Sequence, residues 1–147
     1  MKLNLLFSIL FLMLTGSCNE AKKMNHESKN SDIVSISLIQ KSDTGTKELT
    51  LYKNHYTMNI NDENYRYDLK SEKWTELRNI LNSLDIDNLS NYFSDEPEGR
   101  FVDKSLVSQI IIENKNGKNS SQEITPERIP KELNELYDFL LSFFPLQ

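Results

Sequence analysis

The stretch Leu69-Lys-Ser-Glu-Lys-Trp-Thr-Glu-Leu-Arg-Asn-Ile-Leu-Asn-Ser-Leu84 is the clearest amphipathic segment of the chain. Its apolar residues recur at the spacing that forms one stripe on a helix of about 3.6 residues per turn. They are Trp74, Leu77, Ile80, Leu81 and Leu84. Ser71 is of the residue type that caps helix N-termini, and Glu72 follows where a carboxylate suits the helix dipole. We therefore expect a helix that covers a sheet with its apolar side.

Four short segments before this helix predict antiparallel strands, at residues 33–40, 48–53, 56–60 and 65–69. In the first segment Val34, Ile36 and Leu38 alternate with serines, as in a strand with one buried face. Gly45 lies in the first turn, where it can adopt a positive φ. Most of the tyrosines of this region are expected in core or half-buried positions of the sheet, and the alternative is an exposed sheet face, since Tyr is enriched in binding patches.

The second half of the chain predicts two more strands and a final helix. Residues 106–113 form the most hydrophobic segment and are expected at the centre of the sheet. The pair Asn116-Gly117 predicts a two-residue hairpin turn, followed by a polar edge strand over residues 119–124. Residues 130–144 place apolar side chains on one side of a helix. The predicted fold class is α+β, an antiparallel sheet of about six strands with two amphipathic helices packed on one face.

The first residues form a separate pattern. A basic Lys2, an apolar run over residues 3–14 and a few small residues precede Cys18. An apolar run of about 12 residues is too short for a helix across a ~30 Å hydrocarbon core, but it has the length and flanks of a signal peptide. We expect a signal peptide over residues 1–17, a flexible polar tether over residues 18–31 and a single domain over residues 32–147.

Cys18 is the only cysteine, so an intrachain disulfide is excluded and an exported chain would carry an unpaired thiol. The sequence Leu14-Thr15-Gly16-Ser17-Cys18 resembles the lipobox of bacterial lipoproteins. The resemblance implies that Cys18 is acylated and becomes the mature N-terminus, which anchors the protein to a membrane of the cell envelope. In that family Asp after the cysteine favours the inner membrane, so Asn19 favours the outer one. The alternative is a secreted protein cleaved near Ser17 with a free thiol.

The composition excludes some partners. The formal net charge of the chain is −5, and loss of residues 1–17 would remove the positive charge of Lys2 and leave −6. Nucleic-acid binding needs a basic face, so an acidic domain is a poor candidate for it. Charged residues make up 27% of the chain and hydrophobic residues 37%, which is typical of one polar globular domain.

No catalytic motif is found, whether a nucleophile elbow, a dinucleotide fingerprint, a phosphate loop or a Cys-x-x-Cys pair. His26 and His55 do not have zinc-ligand spacing, and His55 is expected to be a solvated turn residue. The speculative binding residues are the acidic Asp95, Glu96, Glu98 and Asp103. They lack a calcium-loop pattern and are expected to form a solvated face, with Asp103 capping a turn or pairing with Arg100. No catalytic residue, metal or cofactor is predicted.

The order of elements, together with Pro130-Lys-Glu-Leu133-Asn-Glu-Leu136, is similar to small bacterial proteins of the emfourin type. The similarity covers residues 33–141, and other small lipoproteins have a similar layout. Emfourins inhibit thermolysin-like metallopeptidases, so the resemblance implies that function as one alternative, and a small hydrolase is another. The leading hypothesis is a lipid-anchored, non-enzymatic binding domain of the cell envelope, with an envelope protein as a candidate partner.

Overall fold

The computed structural model describes residues 32–93 and 106–145 of the chain, which belong to the compact unit Asp32–Gln147. The strands are β1 Ile33–Ser42, β2 Gly45–Leu51, β3 His55–Ile60, β4 Glu63–Asp68, β5 Leu106–Asn114 and β6 Gly117–Ser120. The α-helices of the described part are α1 Ser71–Leu81 and α2 Asn134–Leu141, and short 3₁₀ helices span Ile86–Asn91 and Lys131–Leu133. None of the described helices combines the length and apolarity needed to cross a membrane.

The six strands of the described residues form one antiparallel sheet in the order β4-β3-β2-β1-β5-β6, as predicted. β1 to β4 follow one another as hairpins, and β5 returns to pair with β1 on its other side. The hydrophobic β5 is therefore an interior strand, but it lies one strand from the edge, and β2 and β1 occupy the centre. Helices and sheet are both present, as the α+β prediction requires.

Side chains from one face of the sheet fill the core. Ile36 of β1 lies opposite Leu51 and Ile112, and Leu38 lies opposite Leu49 and Ile110. All six side chains are fully buried. The same apolar cluster includes Trp74, Leu77, Ile80 and Leu81 from α1, and Leu136, Tyr137, Phe139 and Leu140 from α2. The stripe on α1 is therefore buried, as its spacing predicts.

A β-bulge near the start of β1 overturns the expected position of Val34. Ile33 pairs with Asn114 and Ser35 pairs with Glu113, so Val34 is an extra residue with no partner of its own. The bulge moves Val34 out of the buried set, and its side chain is 46% exposed. Ile33 packs against the core instead. Alternation within β1 is regular only beyond this point.

The ends of α1 differ from the prediction. Lys70, and not Ser71, is the N-cap residue, and no side chain accepts a hydrogen bond from the first turn there. Ser71 is the first helical residue, and its carbonyl accepts a hydrogen bond from the Thr75 hydroxyl. The helix ends at Leu81, yet Leu84 is still buried beyond it. The apolar stripe thus continues past the helix that the spacing predicted.

The β5–β6 hairpin turns one residue earlier than the Asn-Gly pair predicted. Lys115 and Asn116 form the turn, because Asn114 and Gly117 are paired across it. The Asn114 side-chain oxygen accepts the backbone N–H groups of Asn116 and Gly117, at 2.9 and 3.0 Å, and holds this register. β6 also ends at Ser120, so the predicted strand over residues 119–124 is wrong in both bounds.

Candidate functional site

A groove of about 700 Å³ opens where β1 ends, β2 and β5 begin, and the last turn of α2 passes beside them. Its apolar lining comes from Leu106, Ile129, Leu141 and Phe144. Binding clefts for small molecules have volumes of about 300–1,000 Å³ and are mostly apolar, with a few oriented polar groups. The groove has the volume and the composition of such a cleft.

Three buried polar side chains form a hydrogen-bonded group beside this groove, and two of them, Gln40 and Tyr137, line it. Gln40 and Ser108 are a cross-strand pair of β1 and β5, and Tyr137 comes from α2. Their exposed fractions are 7%, 1% and 2%. The Gln40 amide nitrogen donates to the Ser108 hydroxyl at 3.3 Å and to the Tyr137 hydroxyl at 3.5 Å, and these two hydroxyls are 3.0 Å apart. This polar trio ties α2 to the sheet, since a buried polar group without a partner would be costly.

The trio leaves the carbonyl oxygen of Gln40 for a ligand. Both hydrogen bonds of Gln40 use its amide nitrogen, and its carbonyl oxygen has no partner among the residues that the structure describes. Gln40 is also one of the residues that line the groove. The carbonyl oxygen can therefore accept a hydrogen bond from a bound molecule, and the residue that carries it is only 7% exposed.

The rim of the groove is charged. Asp43 lies in the β1–β2 turn, Lys47 in β2 and Asp138 in α2. Asp43 and Asp138 are exposed, whereas Lys47 is half-buried. A rim with charges of both signs around an apolar interior suits an amphipathic molecule, whose polar end stays at the mouth of the groove.

The corner of the groove depends on Gly45. Its φ is +138°, which confirms the positive φ predicted for it, and a Cβ there would collide with Oδ1 of Asn61. That oxygen accepts the backbone N–H of Thr46 at 3.1 Å. Asn61 and Asp62, with φ of 50° and 70°, form the two-residue β3–β4 turn typical of tight hairpins. Gly45 thus lets two neighbouring turns meet at the rim.

A second surface feature is a row of four aromatic rings that runs from β4 to α2. We call it the aromatic row, and its members are Tyr67, Tyr56, Phe143 and Phe139. Tyr67 stacks on Tyr56 with ring centres 5.1 Å apart, and Phe143 contacts Tyr56 edge-on at 5.1 Å. Phe139 follows at 5.4 Å from Phe143, and the Lys73 ammonium lies 5.4 Å above the Phe139 ring. The row links β4 to the core through contacts worth about 0.5–1.5 kcal/mol for each aromatic pair.

The β4 end of this row is exposed, which overturns the expectation that Tyr65 and Tyr67 are half-buried or in the core. Their side chains are 39% and 43% exposed. Burial raises the pKa of Tyr56 above its usual value, and the neighbouring Tyr67 raises it further. The pKa of Tyr65 is raised chiefly because its hydroxyl donates a hydrogen bond to the Glu63 carboxylate.

Most of the sequence-predicted site residues lie outside the described part of the chain. These residues are Cys18, Asp95, Glu96, Glu98 and Asp103, and their roles stay predictions. His55 is described, and it is half-buried instead of a solvated turn residue. Its ring stacks on Tyr52 at 4.5 Å, and its Nδ1 is 2.8 Å from the Asn54 side-chain oxygen. Among the described residues, no group of three or more His, Cys, Asp or Glu could hold a metal.

The groove residues were missed by the sequence analysis, although one signal was available. Gln40 continues the alternation of Ile36 and Leu38, so the pattern of β1 places a polar amide in a buried register. Its partners Ser108 and Tyr137 come from β5 and α2, 68 and 97 positions away along the chain. Contacts over that separation leave no local pattern in the sequence.

The chain matches no protein-family model, no curated protein and no solved structure. Its function is therefore to be inferred from the chemistry of the groove, of the aromatic row and of the sequence around Cys18.

Proposed function

We propose that this chain is a lipid-anchored, non-enzymatic protein of the cell envelope that binds an amphipathic ligand in the groove beside α2. The observation that carries the proposal is the free carbonyl oxygen of Gln40 in an apolar groove of about 700 Å³. A nearly buried acceptor gives a bound molecule one oriented hydrogen bond, and the apolar walls supply the larger part of the binding free energy.

The ligand that fits these walls has an apolar body and a hydrogen-bond donor. The body packs against Leu141 and Phe144, which line the groove and are only half-buried, so part of their apolar area is exposed. The donor reaches the Gln40 oxygen, and the polar end stays near Asp43 and Asp138 at the rim. The donor group of the ligand loses its hydrogen bonds to water when the ligand binds. It must then donate to the Gln40 oxygen with good geometry, because a buried polar group without a partner costs about 1–3 kcal/mol.

The anchor is the second part of the proposal. The apolar run over residues 3–14, the small residues before Cys18 and the absence of any other cysteine support acylation of Cys18. Residues 19–31 are polar and without periodicity, which supports a tether between the lipid and the domain. Asn19 supports an outer-membrane location, and the acidic composition argues for envelope molecules and against nucleic acid as partners.

We also infer that both helices cover the same face of the sheet. Register places Gln40, Ser108 and Tyr56 on the face that holds Leu38 and Ile110, and side chains of α2 or its C-terminal turn contact all three. α1 contributes to the same apolar cluster, and Lys73 of α1 lies over a ring of α2. The opposite face holds the hydrogen-bonded Ser37, Thr50 and Glu48 beside the half-buried Ile39 and Ile111, and none of these five residues belongs to the apolar cluster, which supports placing both helices on the other face.

Ligand binding is tested with the neutral apolar fluorophore N-phenyl-1-naphthylamine and the purified chain. We expect a saturable rise in fluorescence with one site per chain. Leu141→Lys, which places a charge on the groove wall, should reduce the affinity at least tenfold. Val34→Lys is the matched control, because Val34 is an exposed apolar residue that is not part of the groove lining. Equal binding by both variants and the parent would refute the groove as the site.

The anchor is tested by expressing the chain with Cys18→Ser in a bacterium with two membranes and labelling it with radioactive palmitate. We expect the parent to incorporate label and to sediment with membranes. The variant should incorporate none and appear in the soluble fraction, because its only acylation site is lost. A variant that sediments as the parent does would contradict the lipoprotein proposal and leave the groove experiment unaffected.

A further inference from the structure

The outer edge of β4 is a regular, exposed strand edge. β3 and β4 pair without interruption over six positions, from His55 with Asp68 to Ile60 with Glu63. β4 is the last strand on its side of the described sheet, and all six of its residues are exposed. A regular edge of this kind presents backbone N–H and C=O groups that can pair with another strand.

The turn contacts identify which residues of β4 present these groups. The backbone N–H of Leu69 donates to the backbone carbonyl of Asn54, so Leu69 bonds toward the β3 side. The backbone N–H of Asn61, at the end of β3, donates to the carbonyl of Thr46, so Asn61 bonds toward β2. In an antiparallel pair, residues that bond to the neighbour alternate with residues that do not. The odd-numbered residues of β4 therefore bond to β3. The outward backbone groups are those of Asn64, Arg66 and Asp68.

We propose that this edge pairs antiparallel with β4 of a second copy of the chain, in a two-fold symmetric dimer centred on Tyr67. In this register Arg66 lies directly opposite Asp68 of the second copy, and symmetry makes the same pair twice. Both residues have outward backbone groups, so each pair exchanges two backbone hydrogen bonds in addition to its ionic contact. A two-fold interface requires a self-complementary surface, and the charges of β4 provide one.

The neighbouring registers lack this complementarity. Residues directly opposite each other share a face of the sheet, so each symmetric alternative is centred on one residue, and the nearest ones are centred on Arg66, Asp68 or Tyr65. Centring on Asp68 puts two aspartates opposite each other, which is destabilising. Centring on Arg66 puts two arginines opposite each other, which is destabilising. Centring on Tyr65 pairs Arg66 with Asn64 and Glu63 with Tyr67, and it forms no ion pair. The charge pattern therefore selects the register centred on Tyr67.

The aromatic row gives the dimer an apolar side. Tyr67 is 43% exposed although it stacks on Tyr56, so its ring keeps a free surface. On the dimer axis the two Tyr67 residues form a non-bonded pair, whose Cα atoms are about 4.5 Å apart. Their rings then meet, and the aromatic rows of the two copies become continuous. Aromatic cross-strand pairs are among the favourable ones in sheets.

Site-specific cross-linking tests the dimer and its register. The full chain carrying Cys18→Ser is purified in a non-ionic detergent with either Tyr67→Cys or Tyr65→Cys added, and is then oxidised. We expect Tyr67→Cys to form a disulfide-linked dimer, because a Cα separation of about 4.5 Å permits the bond. Tyr65→Cys is the matched control, since its copies would be about 14 Å apart in this register. Cross-linking of Tyr65→Cys in preference, or of neither, would overturn the proposal.

Charge reversal gives a second measurement with the natural tyrosines in place. By sedimentation equilibrium over a range of protein concentrations, Arg66→Asp and Asp68→Arg should each weaken the dimer at least tenfold. The double variant Arg66→Asp with Asp68→Arg should restore it, because the opposed charges are exchanged but still complementary. A parent chain that is monomeric at all concentrations, or a double variant as weak as the single ones, would refute the paired edge.

Discussion

Trp74 is the single tryptophan of the chain, and its replacement by alanine tests whether the stripe on α1 stabilises the fold. The side chain is 9% exposed and belongs to the apolar cluster that joins the sheet to both helices. It lies on the same stripe as Leu77, which is fully buried. Truncation at this position therefore removes apolar contacts that nearby side chains cannot replace without moving.

The magnitude follows from the buried area. A Trp side chain buries up to about 250 Å², and about 200 Å² at ~25 cal/mol per Å² corresponds to about 5 kcal/mol of transfer free energy. The remaining methyl group and partial collapse of the cavity reduce this, so we expect Trp74→Ala to lower the free energy of unfolding by about 3–5 kcal/mol. A domain typically has only ~5–15 kcal/mol in total.

Guanidinium titration followed by far-ultraviolet circular dichroism measures the change. Tryptophan fluorescence cannot be compared between the two proteins, because the variant has no tryptophan. With an m-value of about 4 kcal/mol per molar guanidinium, the midpoint should fall by about 1 M. Asn79→Ala is the control, since Asn79 is exposed on the same helix and should change stability by no more than about 0.5 kcal/mol. A shift for Trp74→Ala as small as that of Asn79→Ala would refute the buried stripe.

Two further predictions concern the groove corner and the aromatic row. Gly45→Ala should destabilise the protein by at least about 1 kcal/mol more than Gly117→Ala in thermal melts. Both glycines have a positive φ, but only the Cβ at position 45 would collide, with Asn61, and equal losses would contradict this. Because the pKa of Tyr56 is raised in the folded protein, this residue ionises first in the unfolded chain as the pH rises. Its contribution to the free energy of unfolding is therefore complete below pH 10 and is lost as pH rises through the folded-state pKa. Urea titrations above pH 10 should therefore show a smaller decline for Tyr56→Phe than for the parent.

The elements themselves could be predicted because their signals are local. Trp74, Leu77 and Ile80 recur with the period of a helix, and Ile36 and Leu38 alternate with the period of a strand. Each pattern depends only on which side chains share a face within one element. The two predicted helices and six predicted strands are for this reason present in the described part of the chain, although several of their ends differ by a few residues.

The boundaries and exposures that differ depend on contacts with other elements. Val34 is exposed because the register with β5 contains a bulge, and Ser71 is not the cap because the helix begins one residue earlier than expected. Tyr65 lies in a strand-like segment as Tyr56 does, yet it is exposed because β4 is the outer strand of the described sheet. Nothing in a six-residue pattern specifies which strand will lie at the edge.

The sequence by itself determined the local periods, the turn glycine at position 45 and the acidic charge of the chain. The tertiary structure alone decided that Gln40, Ser108 and Tyr137 meet at a groove, and that the edge of β4 presents Arg66 and Asp68 outward. The physical reason is that a site is assembled by strand register and helix docking. Strand register and helix docking both depend on the apolar area that side chains far apart in the chain bury together. No single segment of the sequence specifies that area.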